Sequence, residues 1–217
     1  MAYGKGMKRL NPCGDELIAN AIGTKAESIL DIGCGRGARL EFLKRQYPEA
    51  YIAGIDSDAE NAEYAAKLLP TCEIKCADAK ALPFDDESFD TLLCECTFSL
   101  FDEPDICLEE MLRVMRPGGR LILADLCTGD GKIHSAPDGE TIKNIYSRQL
   151  LESKVSEAGF ILREYFDRKS DLADMAAQMI FDGSFCSCVG EKTAQMLMKL
   201  KVGYGLWIFE KGLKNNV

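Results

Sequence analysis

A doubly wound α/β fold, with a parallel sheet covered by helices on both faces, is what the sequence predicts. Three observations lead there. Short β-like runs alternate with helical stretches from Ser28 to Ala124. The run from Arg120 to Ala124 is almost continuously apolar, as a strand buried on both faces requires. A glycine-rich turn, Gly33-x-Gly35-x-Gly37, leaves the first run and opens the first helix that follows.

Taken in order, Ser28-Ile29-Leu30-Asp31-Ile32 reads as the first strand. After the glycine turn, Leu40, Leu43 and Tyr47 fall on one helical face, and Pro48 stops that helix. Tyr51 to Asp56 is the second strand. Ser57 with Glu60 three residues on signals a capping box, and the helix it opens runs to about Leu69, before Pro70. Cys72 to Cys76 and Phe89 to Cys94 supply the third and fourth strands. Leu108, Met111, Leu112 and Met115 are spaced as one apolar helix face, and Pro117-Gly118-Gly119 reads as a turn into the fifth strand. Thr141 to Ala158 reads as a helix ending at Gly159, and Phe160 to Phe166 as a strand. Helical spacing returns at 171–181 (Leu172, Met175, Ala176, Met179, Ile180) and at 191–201 (Met196, Leu197, Leu200), before a final strand from Tyr204 to Phe209.

The length of 217 residues fits one domain over 1–217 better than two. A net charge of −9 argues against a non-specific nucleic-acid binder and against docking on an anionic membrane. No apolar run approaches the ~20 residues that span a bilayer, and the basic start (Lys5, Lys8, Arg9) leads into polar residues rather than an apolar signal core, so a cytoplasmic protein is expected. In that setting the 10 cysteines read as reduced thiols, most of them small buried hydrophobes.

The glycine spacing alone fits either an adenosine cofactor or a dinucleotide, since Ala38 completes Gly-x-Gly-x-x-Ala. It is also compatible with a ligand-free tight turn. Asp56, at the end of the second strand, can accept two ribose hydroxyls in either cofactor. Asp31 separates them: a carboxylate lining the turn can pair with an α-ammonium group, whereas it would repel a pyrophosphate. Asp78 can accept a hydrogen bond from an adenine amino group.

With these residues in place, the sequence resembles the class I S-adenosylmethionine-dependent methyltransferases, in particular the small-molecule branch that includes menaquinone- and ubiquinone-biosynthesis enzymes. The resemblance rests on Leu30-Asp31-Ile32-Gly33-Cys34-Gly35-Arg36-Gly37, Gly54-Ile55-Asp56-Ser57, Ala77-Asp78-Ala79, Leu82-Pro83-Phe84 with Ser88-Phe89-Asp90, Leu112-Arg113-Val114-Met115-Arg116-Pro117-Gly118-Gly119 and Glu157-Ala158-Gly159-Phe160. It covers about residues 14–166 and the last strand. It implies a Rossmann-like seven-stranded sheet, mostly parallel with the last strand antiparallel, and S-adenosyl-L-methionine as cofactor, leaving S-adenosyl-L-homocysteine as product. It further implies that Asp31, Gly33, Cys34, Gly35 and Gly37 hold the methionine part, Asp56 and Ser57 the ribose and adenine edge, and Asp78 and Ala79 the adenine. Backbone at Cys94 and Glu95 would lie beside the sulfonium.

Ligands of open α/β sheets bind at the carboxyl ends of the strands, which places Glu95, Cys96, Thr97 and Asp125 near the transferred methyl. In-line displacement from a sulfonium needs positioning more than a protein nucleophile. Glu95 and His134, the only histidine, are the candidate catalytic groups. His134 follows the fifth strand in a glycine-rich loop and suits a base for a hydroxyl or acidic-carbon acceptor, with an exposed loop histidine as the alternative. The pairs Cys94/Cys96 and Cys186/Cys188 are the only candidate thiol site for zinc or trivalent arsenic, set against buried, incidental thiols. The segment 1–22, with Tyr3, Arg9 and Leu10, is expected to fold over the cofactor. Residues 170–202 are expected to form an inserted helical cap over the acceptor pocket, with a homodimer face as the other use of Met175, Met179 and Met196.

The leading expectation is therefore methyl transfer to a small-molecule acceptor, with neither nucleic acid nor membrane as partner. An arsenite- or thiol-type methyltransferase, a non-catalytic cofactor-binding protein and an NAD-dependent oxidoreductase are the alternatives. The Asn/Asp-Pro-Pro-aromatic signature of amino-methylating DNA enzymes is missing, and Cys94-Glu95-Cys96-Thr97 takes its place.

Overall fold

The computed structural model describes residues 12–137, 139–181 and 191–212. A single sheet organises them. Its strands are β1 (Ser28–Ile32), β2 (Tyr51–Asp56), β3 (Glu73–Cys76), β4 (Phe89–Glu95), β5 (Met115–Thr128), β6 (Ile133–Ser135), β7 (Asn144–Ser147), β8 (Phe160–Asp167) and β9 (Gly203–Lys211). The helices are α1 (Asp15–Ile22), α2 (Ala38–Gln46), α3 (Ala59–Leu68), α4 (Pro104–Val114), α5 (Arg148–Glu157), α6 (Lys169–Phe181) and α7 (Glu191–Leu200). Strands β1 to β5 are parallel in the order β3-β2-β1-β4-β5. β9 runs antiparallel to β5, from Arg120 opposite Glu210 to Cys127 opposite Gly203, and β8 runs antiparallel to β9. These seven strands form the expected mostly parallel arrangement with an antiparallel last strand. Among the described residues, no helix is long and apolar enough to cross a membrane.

The pleat distributes neighbours to two cores, as a period of two dictates. Leu30, Ile32, Leu92 and Cys94 meet Met111 and Trp207 on one face, while Ile29, Ile52, Leu93 and Ile122 meet Ile18, Leu40 and Leu43 on the other. Burial on both faces explains why these strands read as apolar runs rather than alternating ones.

β6 and β7 add a short antiparallel hairpin. Cys127 pairs with Tyr146 of β7 and with Gly203 of β9, so the two strands flank β5 on opposite sides. β4 stops pairing at Glu95 opposite Ala124, and β7 takes the side of β5 that β4 vacates. The hairpin therefore stands beyond the carboxyl end of β4. It also corrects the expectation of a helix from Thr141: Asn144 to Ser147 is strand, and the helix begins at Arg148, where the Ser147 hydroxyl accepts from Leu150 N. Two further boundaries move. Asp58, not Ser57, caps α3, because its carboxylate reaches both Glu60 N and Asn61 N. Pro117-Gly118-Gly119 lies inside β5 as an irregular stretch between Met115 opposite Phe89 and Arg120 opposite Thr91, and Met115 belongs to the strand rather than to α4.

The segment Leu82 to Asp90 is clamped at both ends. Arg113 donates to the carbonyls of Leu82 (2.9 Å) and Phe84 (2.8 Å) while pairing with Glu110 and Asp86. Asp90 Oδ2 accepts from Glu27 N and Ser28 N, each at 2.8 Å, and from Ser28 Oγ, fixing the start of β1. Asp90→Ala leaves those donors without their acceptor and is expected to cost about 1–3 kcal/mol in a urea unfolding curve. An unchanged midpoint would show the clamp to be dispensable.

Candidate active site

The parallel strands are added outward on one side of β1 as β2 and β3 and then on its other side as β4, and ligands of such sheets bind in the crevice at this switch point. A cleft of about 640 Å³ lies there. It collects the carboxyl ends of four strands: Ile32 and Gly33 at the end of β1, Asp56 and Ser57 at the end of β2, Ala77 to Lys80 after β3, and Glu95, Cys96 and Thr97 at the end of β4. Leu100, Phe101, Asp102 and Thr141 also line it. Carboxylates outnumber the one basic lining residue described, Lys80, so the cleft favours a cation.

The glycine turn is held by backbone bonds. Gly33 N and Cys34 N both donate to Ile55 O, and Gly35 N donates to Asp56 Oδ2 at 2.8 Å. Gly33 has φ +76°, and a Cβ there would fall 2.3 Å from Thr97 Oγ1. Gly35 has φ +54° with nothing within 4 Å of the position a Cβ would take, so the turn leaves open space where a ligand can approach the backbone. Cys34 offers only its backbone, because its side chain packs against Gly54 in the core. Asp56 Oδ1 accepts from Asp58 N, which aims the carboxylate along the cleft wall. Asp78 is exposed, and its Oδ1 accepts from Lys80 N.

Asp31 is 3% exposed, and its Oδ2 is buried with no hydrogen-bond partner among the described residues. Burial first, then the Glu95 carboxylate, raise its carboxyl to about 7, with Arg39 opposing and Asp56 adding to the rise. A buried acceptor left unmatched in this way is costly unless a ligand donor completes it.

Glu95 is not free to act as a base. Arg39 donates Nε to Glu95 Oε2 (2.5 Å) and Nη2 to Oε1 (3.0 Å), while Nη1 bonds Asp15 Oδ1 (2.7 Å) and Nη2 also bonds Cys13 O (3.0 Å). Sequence reasoning missed Arg39. Its signal was there: Arg39 shares the apolar stripe of α2 with Leu40 and Leu43, and a cation on a buried face requires a buried anion.

Cys94 and Cys96 do not form a thiol pair. The left-handed backbone at Cys96 (φ 52°) breaks the strand alternation, so Cys94 packs in one core and Cys96 against the other. Burial raises both thiols well above their ordinary range, which keeps them protonated and poor metal ligands. Cys96 Sγ instead contacts Tyr204 Oη at 3.0 Å, and that hydroxyl donates to Ala124 O. Cys186 and Cys188 lie outside the described residues, and no metal-binding cluster occurs among those described.

Asp125 is not brought to the cleft. It is buried and accepts from Ser99 N and Leu126 N, anchoring the turn after β4. His134 stands on β6 rather than in a loop, with Nε2 2.7 Å from Asp130 Oδ2, and is not among the cleft-lining residues.

Residues 30–123 match the family model described as a methyltransferase domain. A demethylmenaquinone methyltransferase of Thermotoga maritima is 36% identical over 114 residues, 50% of this chain and 50% of that protein. The chain spans about half the length of the curated relatives it matches. The solved geranyl diphosphate C-methyltransferase from Streptomyces coelicolor A3(2) superposes with a TM-score of 0.74 at 17% identity, over 91% of this chain and 78% of that one. The [4+2]-cyclase SpnF superposes with a TM-score of 0.72 at 22% identity, over 92% and 80%. At such identities the superpositions establish the fold alone.

Proposed function

We propose that this chain, which carries a methyltransferase domain over residues 30–123, transfers a methyl group from S-adenosyl-L-methionine to a small-molecule acceptor. The observation that carries this reading is the buried, unpartnered Oδ2 of Asp31 beneath the glycine turn, a place for a ligand ammonium group. Asp31 meets the amino group, Gly33 and Gly35 admit the chain of the cofactor, Asp56 and Ser57 take the ribose, and Asp78 and Ala79 flank the adenine. When bound, the cofactor supplies an electrophilic methyl on a sulfonium. The carboxyl end of β4, with Glu95 held by Arg39, forms the wall beside it, and the chain's task is to align an acceptor and exclude water. A dinucleotide fits less well, because its pyrophosphate would meet the Asp31 carboxylate.

For an acceptor that must lose a proton and that extends past the cleft to the β6–β7 hairpin, His134 is the proposed base. Its bond to Asp130 orients the ring, and its hairpin stands beyond the end of β4. His134→Ala should lower turnover about 100-fold or more on such an acceptor while leaving cofactor affinity intact. Equal single-turnover rates across pH would remove it from the mechanism. Residues 170–202 are proposed to cover the acceptor, since Leu172 at their start packs with Cys13 and Cys96 on one core. The segment 1–22 is proposed to close over the cofactor, supported by the bonds of Arg39 to Cys13 and Asp15; its residues 1–11 lie outside those described. A homodimer face on 170–202 is the competing use, and a monomer in sedimentation would dismiss it. The net charge of −9 favours a small acceptor over nucleic acid or an anionic membrane.

The test is acceptor-dependent formation of S-adenosylhomocysteine, starting with demethylmenaquinone and fatty acids, after the relatives named for them. Binding of S-adenosylhomocysteine without turnover on any acceptor would favour a non-catalytic cofactor-binding protein.

A further inference from the structure

The buried charges beneath the cleft are shared unequally. Arg39, Glu95 and Asp31 are 4%, 5% and 3% exposed, yet all three nitrogens of Arg39 go to Glu95, Asp15 and Cys13 O. Asp31 lies on β1, directly beside β4, and receives none of these bonds. One guanidinium thus faces two buried carboxylates and is spent on one. The acid left without a hydrogen-bonded cation is Asp31. Were Arg39 to turn to Asp31, it would itself fill the cationic place.

We propose that Arg39 is a positioning residue for cofactor binding: by locking onto Glu95 and the start of α1, it withholds itself from Asp31 and leaves that carboxylate to the cofactor's ammonium group. This inference rests on the cofactor reading above. Its consequence is proton linkage. The charged and titratable groups facing Asp31 are Glu95 from β4, Arg39 from α2 and Asp56 from β2, with the Cys34 and Cys94 thiols alongside. Glu95 and Asp56 favour the protonated carboxyl and Arg39 the ionised one, so removing Arg39 or Glu95 moves the titration of Asp31 in opposite directions.

The experiment is calorimetric titration of S-adenosylhomocysteine, between about pH 5.5 and 8.5, into the full chain and its Arg39→Met, Arg39→Lys and Glu95→Gln variants. 5′-Methylthioadenosine, which lacks the amino-acid part, serves as control. In the parent protein, affinity for S-adenosylhomocysteine should rise up to about tenfold per pH unit below a midpoint near neutrality and then level off, because only ionised Asp31 binds the ammonium group. Arg39→Met should move that midpoint up and cost roughly tenfold in affinity at neutral pH. Arg39→Lys should recover part of it. Glu95→Gln should move the midpoint down and, by releasing the guanidinium to turn to Asp31, weaken binding above that midpoint. Methylthioadenosine should bind without pH dependence throughout. Should Arg39→Met not fold, Arg39→Lys and Glu95→Gln carry the same comparison. Shifts in the same direction for Arg39→Met and Glu95→Gln, or a flat profile in the parent, would overturn the inference while leaving the cofactor reading standing. Binding of neither nucleoside at any pH would end both.

Discussion

Gly33→Ala should lose cofactor binding and part of the fold's stability together. A Cβ at this position falls 2.3 Å from Thr97 Oγ1 and 2.5 Å from Thr97 Cγ2, and the backbone is left-handed at φ +76°. Thr97 cannot simply rotate away, since its hydroxyl donates to Glu95 O at 2.9 Å at the carboxyl end of β4. The left-handed conformation alone costs a β-carbon about 1–2 kcal/mol, and overpacking adds about 1–3 kcal/mol. The strain falls on the two strand ends that face each other across the cleft, so the Kd for S-adenosylhomocysteine should rise by about 100-fold or more. Gly35→Ala separates the causes. Its Cβ meets nothing within 4 Å, so it should cost little beyond the left-handed strain while still weakening binding. Full affinity in Gly35→Ala would show that the ligand does not approach this turn.

Asp31→Asn should have the larger effect on function and the opposite effect on stability. Asp31 is the proposed partner of the ligand's ammonium group, and its loss should leave that group unpaired, at about 2–5 kcal/mol, or roughly 30-fold to several-thousand-fold in Kd. The free protein behaves differently. A carboxyl raised from 3.8 to about 7 contributes stability that is fully present below the unfolded value and is lost as pH rises to the folded one. Above pH ~7 the ionised Asp31 opposes folding by an amount on the order of a few kcal/mol. Asp31→Asn should therefore melt higher than the parent at pH ~8 without ligand, and should gain little from added S-adenosylhomocysteine, which should raise the parent's melting temperature. A ligand-free Asp31→Asn that melts lower, with affinity intact, would show that Asp31 is a structural residue only.

The fold was legible where burial on both faces forces apolar runs, as in β1, β2, β4 and β5, and where Gly and Pro mark the joints. It was not legible at Asn144 to Ser147. Ile142, Ile145 and Tyr146 suit a helix face or a strand, and the choice is made by tertiary structure, because β5 extends beyond the end of β4 and offers an unpaired edge. The cap of α3 lies one residue beyond the expected Ser57 because Ser57 and Asp58 are both good caps, and only the bonds from Glu60 N and Asn61 N to the Asp58 carboxylate show which one faces the helix.

For the site, Asp31, Gly33, Gly35 and Asp56 could be read from the motif; Gly33 and Asp56 line the cleft, Gly35 is bonded to Asp56, and Asp31 is buried on β1 and is not among the lining residues. The spacing Cys94-x-Cys96 pointed to a thiol pair only because regular strand alternation was assumed, and the left-handed Cys96 removes it. Glu95 looked available as an acid or base. Its partner Arg39 lies 56 positions away in sequence, and no local pattern couples the two. Several residues of the resemblance, among them Arg113 and Asp90, hold the scaffold and are not among the residues that line the cleft.

Asp31 and Asp56 are proposed to cradle an adenosyl amino acid together. A crystal structure with S-adenosylhomocysteine bound tests it most directly. The expected result is the ligand ammonium within hydrogen-bond distance of Asp31 Oδ2, the ribose hydroxyls on Asp56, and Arg39 still on Glu95. A nucleoside seated away from the glycine turn, or an Asp31 still without a partner beneath a filled cleft, would contradict it.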